Sequence, residues 1–278
     1  MIEVSQLTKV YGLRDAEAAG LVERNRADAE ARRAAVRSAG GFLGADDVSF
    51  EVRRGEVFVV MGLSGSGKST VLRMLNRLIE PTAGRISVGG QAIRDMDASA
   101  LRELRNRTVG MVFQHFGLFE HRSVRENAAY GLRVRKAAKA EQLSRADAAL
   151  AQVGLQDRGD ARPSELSGGQ RQRVGLARAL ATESEVLLMD EPFSALDPLI
   201  RREMQELLLS LQAEQRRTIV FVTHDLVEAL RLGTRIMIMR DGRVVQSGTG
   251  EEILSHPADD YVAAFVADLR ADGTGHGA

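Results

Sequence analysis

The sequence predicts an α/β fold built around a buried parallel sheet, and three observations support this prediction. Short segments that are almost continuously apolar are typical of strands covered on both faces: Val57–Met61, Val186–Met189, Thr218–Val222 and Arg235–Met239. Segments with helical spacing lie between these strands, as crossover connections require. A glycine-rich turn follows the first apolar segment directly and leads into a helical run, Val71–Leu75.

The first 60 residues contain short strand-like pieces, interrupted by a segment of a different composition. Between Tyr11 and Phe42 the chain is rich in Ala, Arg, Glu and Asp and shows almost no apolar periodicity. This composition predicts an exposed helical insertion. A solvated surface helix is favoured over a partner-binding one, because charge-rich helices usually only face solvent.

Three further helical segments follow from spacing and capping residues. Asp197 and Pro198 supply an N-cap and a first-turn proline for a helix with Leu199, Met204, Leu207, Leu208 and Leu211. Residues 115–165 lack an apolar strand run and predict an inserted helical region, with Leu143, Ala146, Leu150 and Val153 ending at Gly154. A short amphipathic helix near the carboxyl end carries Tyr261, Phe265, Val266 and Leu269, and residues 273–278 are expected to be frayed.

Composition excludes several classes of protein. The 278 residues carry 38 basic and 38 acidic side chains, so no global positive charge favours nucleic acid or an anionic membrane surface. The absence of cysteine excludes disulfide frameworks, cysteine-type zinc clusters and thiol catalysis. No apolar run reaches membrane-spanning length and the amino terminus is unlike a secretory signal, so we expect a soluble, cytosolic chain.

The glycine-rich turn has the sequence of a phosphate loop in its required context between strand and helix. It comprises Gly62, Leu63, Ser64, Gly65, Ser66, Gly67, Lys68, Ser69 and Thr70. Glycines let successive amide groups point at phosphates, and the following helix adds its free N–H groups. Lys68 would reach the β and γ phosphates and Ser69 would hold Mg²⁺; the alternative is a glycine-rich turn without a ligand.

Two carboxylates, Asp190 and Glu191, end the second apolar strand, at the sheet edge where ligands of open α/β folds bind. Asp190 can orient Mg²⁺ and Glu191 can polarise an attacking water. An isolated Asp-Glu pair would be weak evidence for a nucleotide site, but this chain also contains a phosphate loop. Guanine selectors of the Asn-Lys-x-Asp type need a lysine, and none of the chain's lysines fits, so adenine is the expected base.

A second glycine-lined helix start follows Leu166, formed by Ser167, Gly168, Gly169 and Gln170. One nucleotide needs only one phosphate loop. Two anion-binding helix N-termini are explained if two copies of the chain pair head to tail. The N-terminus from one copy and the phosphate loop of the other then bind the same γ-phosphate. The alternative is a simple N-cap at Ser167.

With these motifs in this order, the chain resembles the ATP-binding cassette (ABC) ATPases over nearly all of residues 2–255. The resemblance implies an α/β P-loop NTPase cassette with a RecA-like core sheet, an antiparallel β subdomain and a helical subdomain inserted at about 115–172. Residues 256–278 would then form a C-terminal helix and a frayed tail.

The resemblance also implies roles for individual residues. Gln114, in Met111–Gln114, matches the Q-loop that senses Mg²⁺ and, with Ser69 and Asp190, belongs to the metal site. Asp197 lies in the D-loop match and His224 matches the switch histidine, although a lone histidine is often structural. Glu191 would be the general base. Tyr11 and Phe42 both remain candidates for stacking on adenine, because the insertion between them blurs the match.

Features that the sequence lacks exclude several branches of the ABC ATPase family. About 100 residues separate Lys68 from Ser167, which leaves no room for a long coiled coil, and the missing cysteines disfavour the zinc-bearing repair type. One cassette without a membrane domain favours a separately encoded importer subunit. Its implied partners are a second cassette, in the simplest case a homodimer, membrane permease subunits and, indirectly, an extracytoplasmic solute-binding protein. It would lie in the cytoplasm, peripheral on the inner face of the membrane.

Within the importers, the chain is most similar to the quaternary-amine group, which takes up glycine betaine, proline betaine and choline. The similarity lies in Met61–Thr70, Asn76–Thr82, Met111–Phe116 and Phe193–Arg201. One departure is expected to matter for regulation: many members of this group carry a C-terminal pair of CBS modules, for which this sequence leaves no room, so sensing of ionic strength through such a tail is not expected. A second departure, Val227 in place of an acidic residue, is not expected to alter hydrolysis. The alternatives are an ABC ATPase of another importer class, an ABC ATPase of a non-transport complex, and a generic ATP-binding sensor.

Overall fold

The computed structural model describes residues 1–114 and 117–274, with side chains described as far as residue 267. The strands in these residues are β1 (Ile2–Tyr11), β2 (Phe42–Val52), β3 (Val57–Met61), β4 (Ala83–Val88), β5 (Gln91–Ala92), β6 (Val109–Val112), β7 (Val186–Asp190), β8 (Thr218–Thr223), β9 (Arg235–Arg240) and β10 (Arg243–Gly248).

The α-helices in the same residues are α1 (Asp15–Arg24), α2 (Ala29–Ser38), α3 (Lys68–Met74), α4 (Ala98–Glu103), α5 (Val124–Ala128), α6 (Tyr130–Val134), α7 (Lys139–Gln152), α8 (Gly168–Ala181), α9 (Pro198–Gln215), α10 (Leu226–Leu232), α11 (Gly250–Ser255) and α12 (Asp260–Thr274). Short 3₁₀ turns span Ile93–Asp95, Gln156–Arg158 and Pro163–Glu165, and a π-helical turn spans Leu104–Thr108. None of the helices in the described residues is long and apolar enough to cross a bilayer.

The chain divides into two compact units. The first unit contains residues 1–97 and 222 onward, and the second contains residues 98–221. Strand β8 begins in the second unit, and its last residues, Val222 and Thr223, belong to the first.

The first unit contains an antiparallel sheet and part of a parallel one. The antiparallel sheet has the order β2-β1-β4-β5, and β1 pairs with β2 along its whole length, from Ile2 opposite Val52 to Tyr11 opposite Phe42. Strands β10, β9 and β3 are neighbours, with β3 parallel to β9 and β10 antiparallel to it. Every residue of β3 is buried, as its uninterrupted apolar sequence predicts.

The second unit combines strands β6 and β7 and most of β8 with helices α4 to α9. Strand β6 runs parallel to β7, with Val112 opposite Met189, so their carboxyl ends share one edge. Helices α5, α7 and α8 pack around a core that includes Ala146, Leu150 and Val174. Fully buried Asn127 ties the chain entering α5: its amide donates to the carbonyls of Phe119 (3.1 Å) and Ser123 (3.0 Å), and its oxygen accepts from the Phe119 amide (2.8 Å).

The predicted strands and helices are found, with differences that have physical reasons. Strand β6 was not predicted, because it is short and contains a glycine, so its sequence gives little indication of a strand. Leu199 and Leu143 belong to helices as predicted but lie on their exposed faces. The expected end of α7 at Gly154 is confirmed, because that glycine takes the left-handed conformation with φ +71° that ends helices.

The expectation of a purely solvated insertion after Tyr11 is wrong. The segment forms α1 and α2, as a helical composition predicts, but each helix buries one side. Ala18 and Val22 on α1 pack with Val36 on α2 and with Val10 of β1 in a small apolar cluster. The buried positions lie four residues apart, Ala18 and Val22 on α1 and Arg32 and Val36 on α2, a spacing that a segment this rich in charge and alanine obscures. The carboxyl end of the chain is helical from Asp260 to Thr274, so the expectation of a frayed tail at 273–278 is wrong for residues 273 and 274, and residues 275–278 lie outside the described residues.

Candidate nucleotide-binding and hydrolysis site

The predicted phosphate loop connects β3 to α3 in the first unit. Gly67, at φ +99°, is the N-cap of α3, and Lys68 is the first helical residue. The buried Lys68 side chain donates from Nζ to the Leu63 carbonyl at 3.0 Å, and the Ser66 amide donates to the same oxygen at 3.2 Å. The lysine therefore lies along the inside of its own loop.

Two glycines of the loop permit close backbone approaches that no other residue would. A Cβ atom on Gly62 would lie 2.2 Å from the Met239 carbonyl oxygen, and one on Gly67 would lie 2.3 Å from that of Gly44. The loop is thus held between β9 and β2 by backbone packing. At its tip Gly65, at φ +81°, has nothing within 4 Å of a built Cβ, which leaves room for a phosphate to approach the backbone.

The two aromatic candidates for adenine stacking form a cross-strand pair. Tyr11 ends β1 opposite Phe42, and their rings stack with centroids 5.1 Å apart. A Cβ on Gly44 would lie 2.4 Å from the Tyr11 ring, and the tyrosine hydroxyl lies 3.3 Å from Thr70 Oγ1. Tyr11 is therefore covered by its neighbours, whereas Phe42 is 62% exposed.

His224 follows β8 in a tight turn before α10. The turn is fixed by the Asp225 amide, which donates to Thr223 Oγ1 at 3.1 Å, and by Asp225 Oδ1, which caps α10 by accepting from the Glu228 amide at 3.0 Å. His224 itself is exposed, so it is not a core histidine.

In the second unit, the two predicted carboxylates stand where β7 ends. Asp190 is the last residue of β7 and is buried, and Glu191 takes the left-handed conformation with φ +42°. A non-glycine residue in that region is strained, and such strain is concentrated at functional positions.

Gln114 lies two residues beyond the end of β6 and reaches the segment after β7. Its Nε2 donates to Ser194 Oγ at 3.3 Å, and that hydroxyl donates to the Glu191 carbonyl at 3.0 Å. Because β6 and β7 are parallel neighbours, Gln114 and Glu191 are linked through one serine at the shared edge.

The second glycine-lined helix start is the amino end of α8. Ser167 is an exposed N-cap: its Oγ accepts from the Gln170 amide at 3.3 Å, and Gln170 Oε1 accepts from the Ser167 amide at 3.0 Å. A groove of about 260 Å³ opens here, lined in part by Ser167, Gly169, Gln170 and Ile200. A Cβ on Gly169 would lie 2.4 Å from Ile200 Cγ2, so the glycine allows α8 to pack against the start of α9.

Asp197 caps α9 next to this groove, accepting from the Ile200 amide at 3.1 Å. A built Cβ on Gly168 meets nothing within 4 Å. The amino end of α8 therefore presents an exposed serine and an open stretch of backbone to an approaching anion.

Two features near the phosphate loop were not predicted. The hydroxyl of Tyr261, on α12, accepts from the Leu63 amide at 3.2 Å and donates to the Met239 carbonyl at 3.3 Å. Asp46, in the middle of β2, is a buried carboxylate surrounded by arginines. The only hint in the sequence is an Asp-Asp pair, residues 46–47, in an otherwise strand-like segment.

The donor chemistry of the candidate residues fits Mg²⁺ bound together with phosphates. No cluster of three or more metal-ligating side chains is present among the residues that the structure describes. Mg²⁺ usually binds through one or two protein oxygens together with substrate phosphates, and the hydroxyl of Ser69 and the carboxylate of Asp190 are hard oxygen donors of that kind.

Comparison with known proteins identifies the class. Residues 45–194 match the family described as ABC transporter. Among solved structures, the dimeric bacterial ABC transporter cassette MJ0796 aligns with a TM-score of 0.75 at 31% identity, covering 90% of this chain and 99% of that one. The cbiO1 protein of Clostridium perfringens aligns with a TM-score of 0.75 at 29% identity over 99% of this chain. The chain belongs to the ABC transporter family and has the ABC cassette fold, which confirms the predicted fold class.

The similar curated proteins narrow the resemblance. The glycine betaine/carnitine transport ATP-binding protein of Listeria monocytogenes is 50% identical over 96% of this chain. The glycine betaine/proline betaine transport system ATP-binding protein of Escherichia coli is 49% identical over 95% of it. The chain spans 66% and 65% of the length of these two relatives. The predicted resemblance to quaternary-amine uptake ATPases is confirmed.

Proposed function

We propose that this chain is the ATP-hydrolysing subunit of an importer for a quaternary-amine solute such as glycine betaine, proline betaine or choline. The observation that supports ATP hydrolysis most strongly is the complete phosphate loop between β3 and α3, together with Asp190 as the last residue of β7 and Glu191 directly after it. The solute class rests on the relatives that are about half identical and are described as glycine betaine transport proteins.

The phosphate-loop residues hold the nucleotide. The backbone of residues 62–70 and the Lys68 ammonium bind the phosphates, and Ser69, Gln114 and Asp190 hold Mg²⁺, which neutralises phosphate charge when bound. Phe42 stacks on adenine, because its ring is exposed whereas Tyr11 is covered by Phe42, Gly44 and Thr70.

Hydrolysis needs an attacking water that is correctly placed. The Glu191 carboxylate accepts a proton from that water while the oxygen of the water attacks the γ-phosphorus. The bond between the γ-phosphorus and the bridging oxygen breaks, and ADP leaves. His224 orients the γ-phosphate and the water. Gln114, linked through Ser194 to Glu191, reports on the site to the helices of the second unit.

Two copies of the chain complete the reaction site. The exposed amino end of α8, with Ser167, Gly168, Gly169 and Gln170, binds the γ-phosphate of a nucleotide on the other copy, and Asp197 lies at the same interface. The solved relatives described as dimeric cassettes support this arrangement. The homodimer works on membrane permease subunits from the cytoplasmic side, and a solute-binding protein delivers the solute to them.

An importer of a different solute is the second candidate. The trimethylamine N-oxide transport ATP-binding protein of Ruegeria pomeroyi is 52% identical over 84% of this chain. Nothing in the nucleotide site selects a solute, so the sequence of this subunit supports both.

Replacing Glu191 tests the proposed hydrolysis. Glu191→Gln should bind ATP but turn it over at least about a hundredfold more slowly, because a general base contributes at least that factor. It should also accumulate as a dimer with ATP in size-exclusion chromatography. Glu214→Gln, an exposed glutamate on α9, is the matched control and should hydrolyse ATP normally. Normal turnover by Glu191→Gln would remove this residue from its role.

Reconstitution tests the solute class. The chain is combined with its permease and solute-binding protein in vesicles, and ATP hydrolysis is measured with glycine betaine, choline, trimethylamine N-oxide or sulfate. Stimulation by a quaternary amine supports the proposal. Stimulation only by trimethylamine N-oxide or sulfate would favour the second candidate.

A further inference from the structure

The segment between Tyr11 and Phe42, here called the insertion, is held to the rest of the first unit by buried charged side chains. On α2, Arg32 is only 2% exposed, and its Nε donates to Asp46 Oδ1 at 2.6 Å. Arg33 Nε lies 3.3 Å from Asp46 Oδ2, and Arg243 Nε donates to that oxygen at 2.7 Å. The carboxylate on β2 therefore joins α2 of the insertion to the start of β10.

This cluster is continuous with the phosphate loop. The Asp46 amide donates to the Gly242 carbonyl at 2.8 Å, and the Gly242 amide donates to the Ser66 carbonyl at 3.0 Å. Arg33 donates through Nη2 to the carbonyl of Asp241 in the same turn. The β9–β10 turn thus carries hydrogen bonds to the insertion on one side and to the loop on the other.

A groove lies where these elements meet. Its volume is about 360 Å³, and α2 of the insertion supplies Arg33, Val36 and Arg37 to its lining. Phe42, Gly65 and Asp241 line it as well. The groove therefore extends from the exposed aromatic ring to the tip of the phosphate loop, and the insertion forms one of its walls.

The two arginines of this wall differ in their partners. Arg33 is engaged by Asp46 and by the Asp241 carbonyl. Arg37, one turn further along α2, is exposed, and within the described part of the chain no carboxylate pairs with its guanidinium. A guanidinium in a groove beside a phosphate loop attracts the anionic part of a nucleotide.

We propose that the insertion builds one wall of the nucleotide-binding groove and that Arg37 binds the phosphate-bearing part of ATP there. Arg32 and Arg33 are positioning residues, because they fix α2 on the Asp46 carboxylate. The proposal rests on the proposed function, since it names a further ligand for the same nucleotide. It assigns a role to the insertion, for which the sequence indicated none.

The test is equilibrium binding of ATP and ADP to the full chain by calorimetry, at low and at high salt. Arg37→Ala should weaken both nucleotides about three- to tenfold at low salt, as expected for one partly solvated charge-assisted contact. The difference should shrink at high salt, and Arg37→Lys should restore most of the affinity. In steady-state hydrolysis, Arg37→Ala should raise KM for ATP and leave kcat unchanged.

Arg24→Ala is the matched control, because Arg24 is also an exposed arginine in the last turn of an insertion helix but does not line the groove. It should bind both nucleotides like the unaltered chain. Unchanged ATP affinity in Arg37→Ala, or a loss that is equal at low and high salt, would overturn the role of Arg37. A chain that binds no ATP before any substitution would instead refute the proposed function itself.

Discussion

The Asp46 cluster makes a quantitative prediction about stability. The Asp46 side chain is fully buried, Arg32 beside it is almost fully buried, and Arg33 and Arg243 are 25% and 31% exposed. Asp46→Asn keeps the shape of the side chain but leaves the Arg32 guanidinium buried without a counter-charge. Removing one partner of a buried ion pair costs about 3–5 kcal/mol, and the partly solvated arginines place this case near about 3 kcal/mol.

Urea unfolding followed by far-UV circular dichroism measures this loss. With a urea dependence of about 2–3 kcal/mol/M, the midpoint should fall by about 1–1.5 M. Asp47→Asn is the matched control, because Asp47 is the next residue on β2 and is exposed. It should change the free energy of unfolding by less than about 0.5 kcal/mol. A loss below about 1 kcal/mol in Asp46→Asn, or an equal loss in Asp47→Asn, would refute the reasoning.

The same cluster fixes the sign of a pH dependence. Burial by itself would raise the pKa of Asp46, but hydrogen bonds and charge from Arg243 and Arg32 outweigh it and lower the pKa. A lowered folded-state pKa gives a stability that is present above the unfolded value of about 3.9 and is lost as the pH falls through the folded value. The stability difference between the unaltered chain and Asp46→Asn should therefore be constant near neutral pH and shrink below about pH 4. A difference that grows on acidification would contradict this assignment.

Three further predictions concern single contacts. Asn127→Ala should lower the free energy of unfolding by about 2–3 kcal/mol in urea, because it removes the partners of the Phe119 amide and the Phe119 carbonyl in the partly buried loop before α5; a loss below about 1 kcal/mol would contradict this. Gly67→Ala should lower the melting temperature and weaken ATP binding, because its Cβ would lie 2.3 Å from a β2 carbonyl oxygen at φ +99°; an unchanged melting temperature would show that the loop relaxes freely. Tyr261→Phe should raise KM for ATP with a stability loss of only about 1 kcal/mol, because it releases the Leu63 amide and the Met239 carbonyl; an unchanged KM would limit Tyr261 to a structural role.

The parts of the site that sequence could predict are those whose chemistry is local. The phosphate-loop turn, the cap at Ser167 and the cap at Asp197 are each made by neighbours within a few residues. The turn joins a strand to a helix as predicted, and the two caps are found with their hydrogen bonds. The strand ending at Asp190 was predictable for the same reason, since a buried parallel strand is a continuous apolar run.

The parts that sequence could not predict depend on residues far apart in the chain. Asp46 meets Arg243, 197 residues away, and Tyr261 meets Leu63, 198 residues away. A charged residue within a strand, or a tyrosine on a helix, gives no local indication of a partner at such a distance. The buried side of the insertion was missed because Arg32 holds one of its inward positions, where a charged residue normally indicates solvent.

Complementation between two inactive variants tests most directly whether each ATP is shared by two copies. Both variants carry Glu191→Gln so that bound ATP is retained; one also carries Lys68→Ala and the other Ser167→Arg. Each alone should retain no ATP as a dimer. A mixed dimer should retain ATP at the site where the intact Lys68 of one copy meets the intact Ser167 of the other. Mixed dimers that retain no ATP, or a Ser167→Arg dimer that retains it fully, would contradict the shared site.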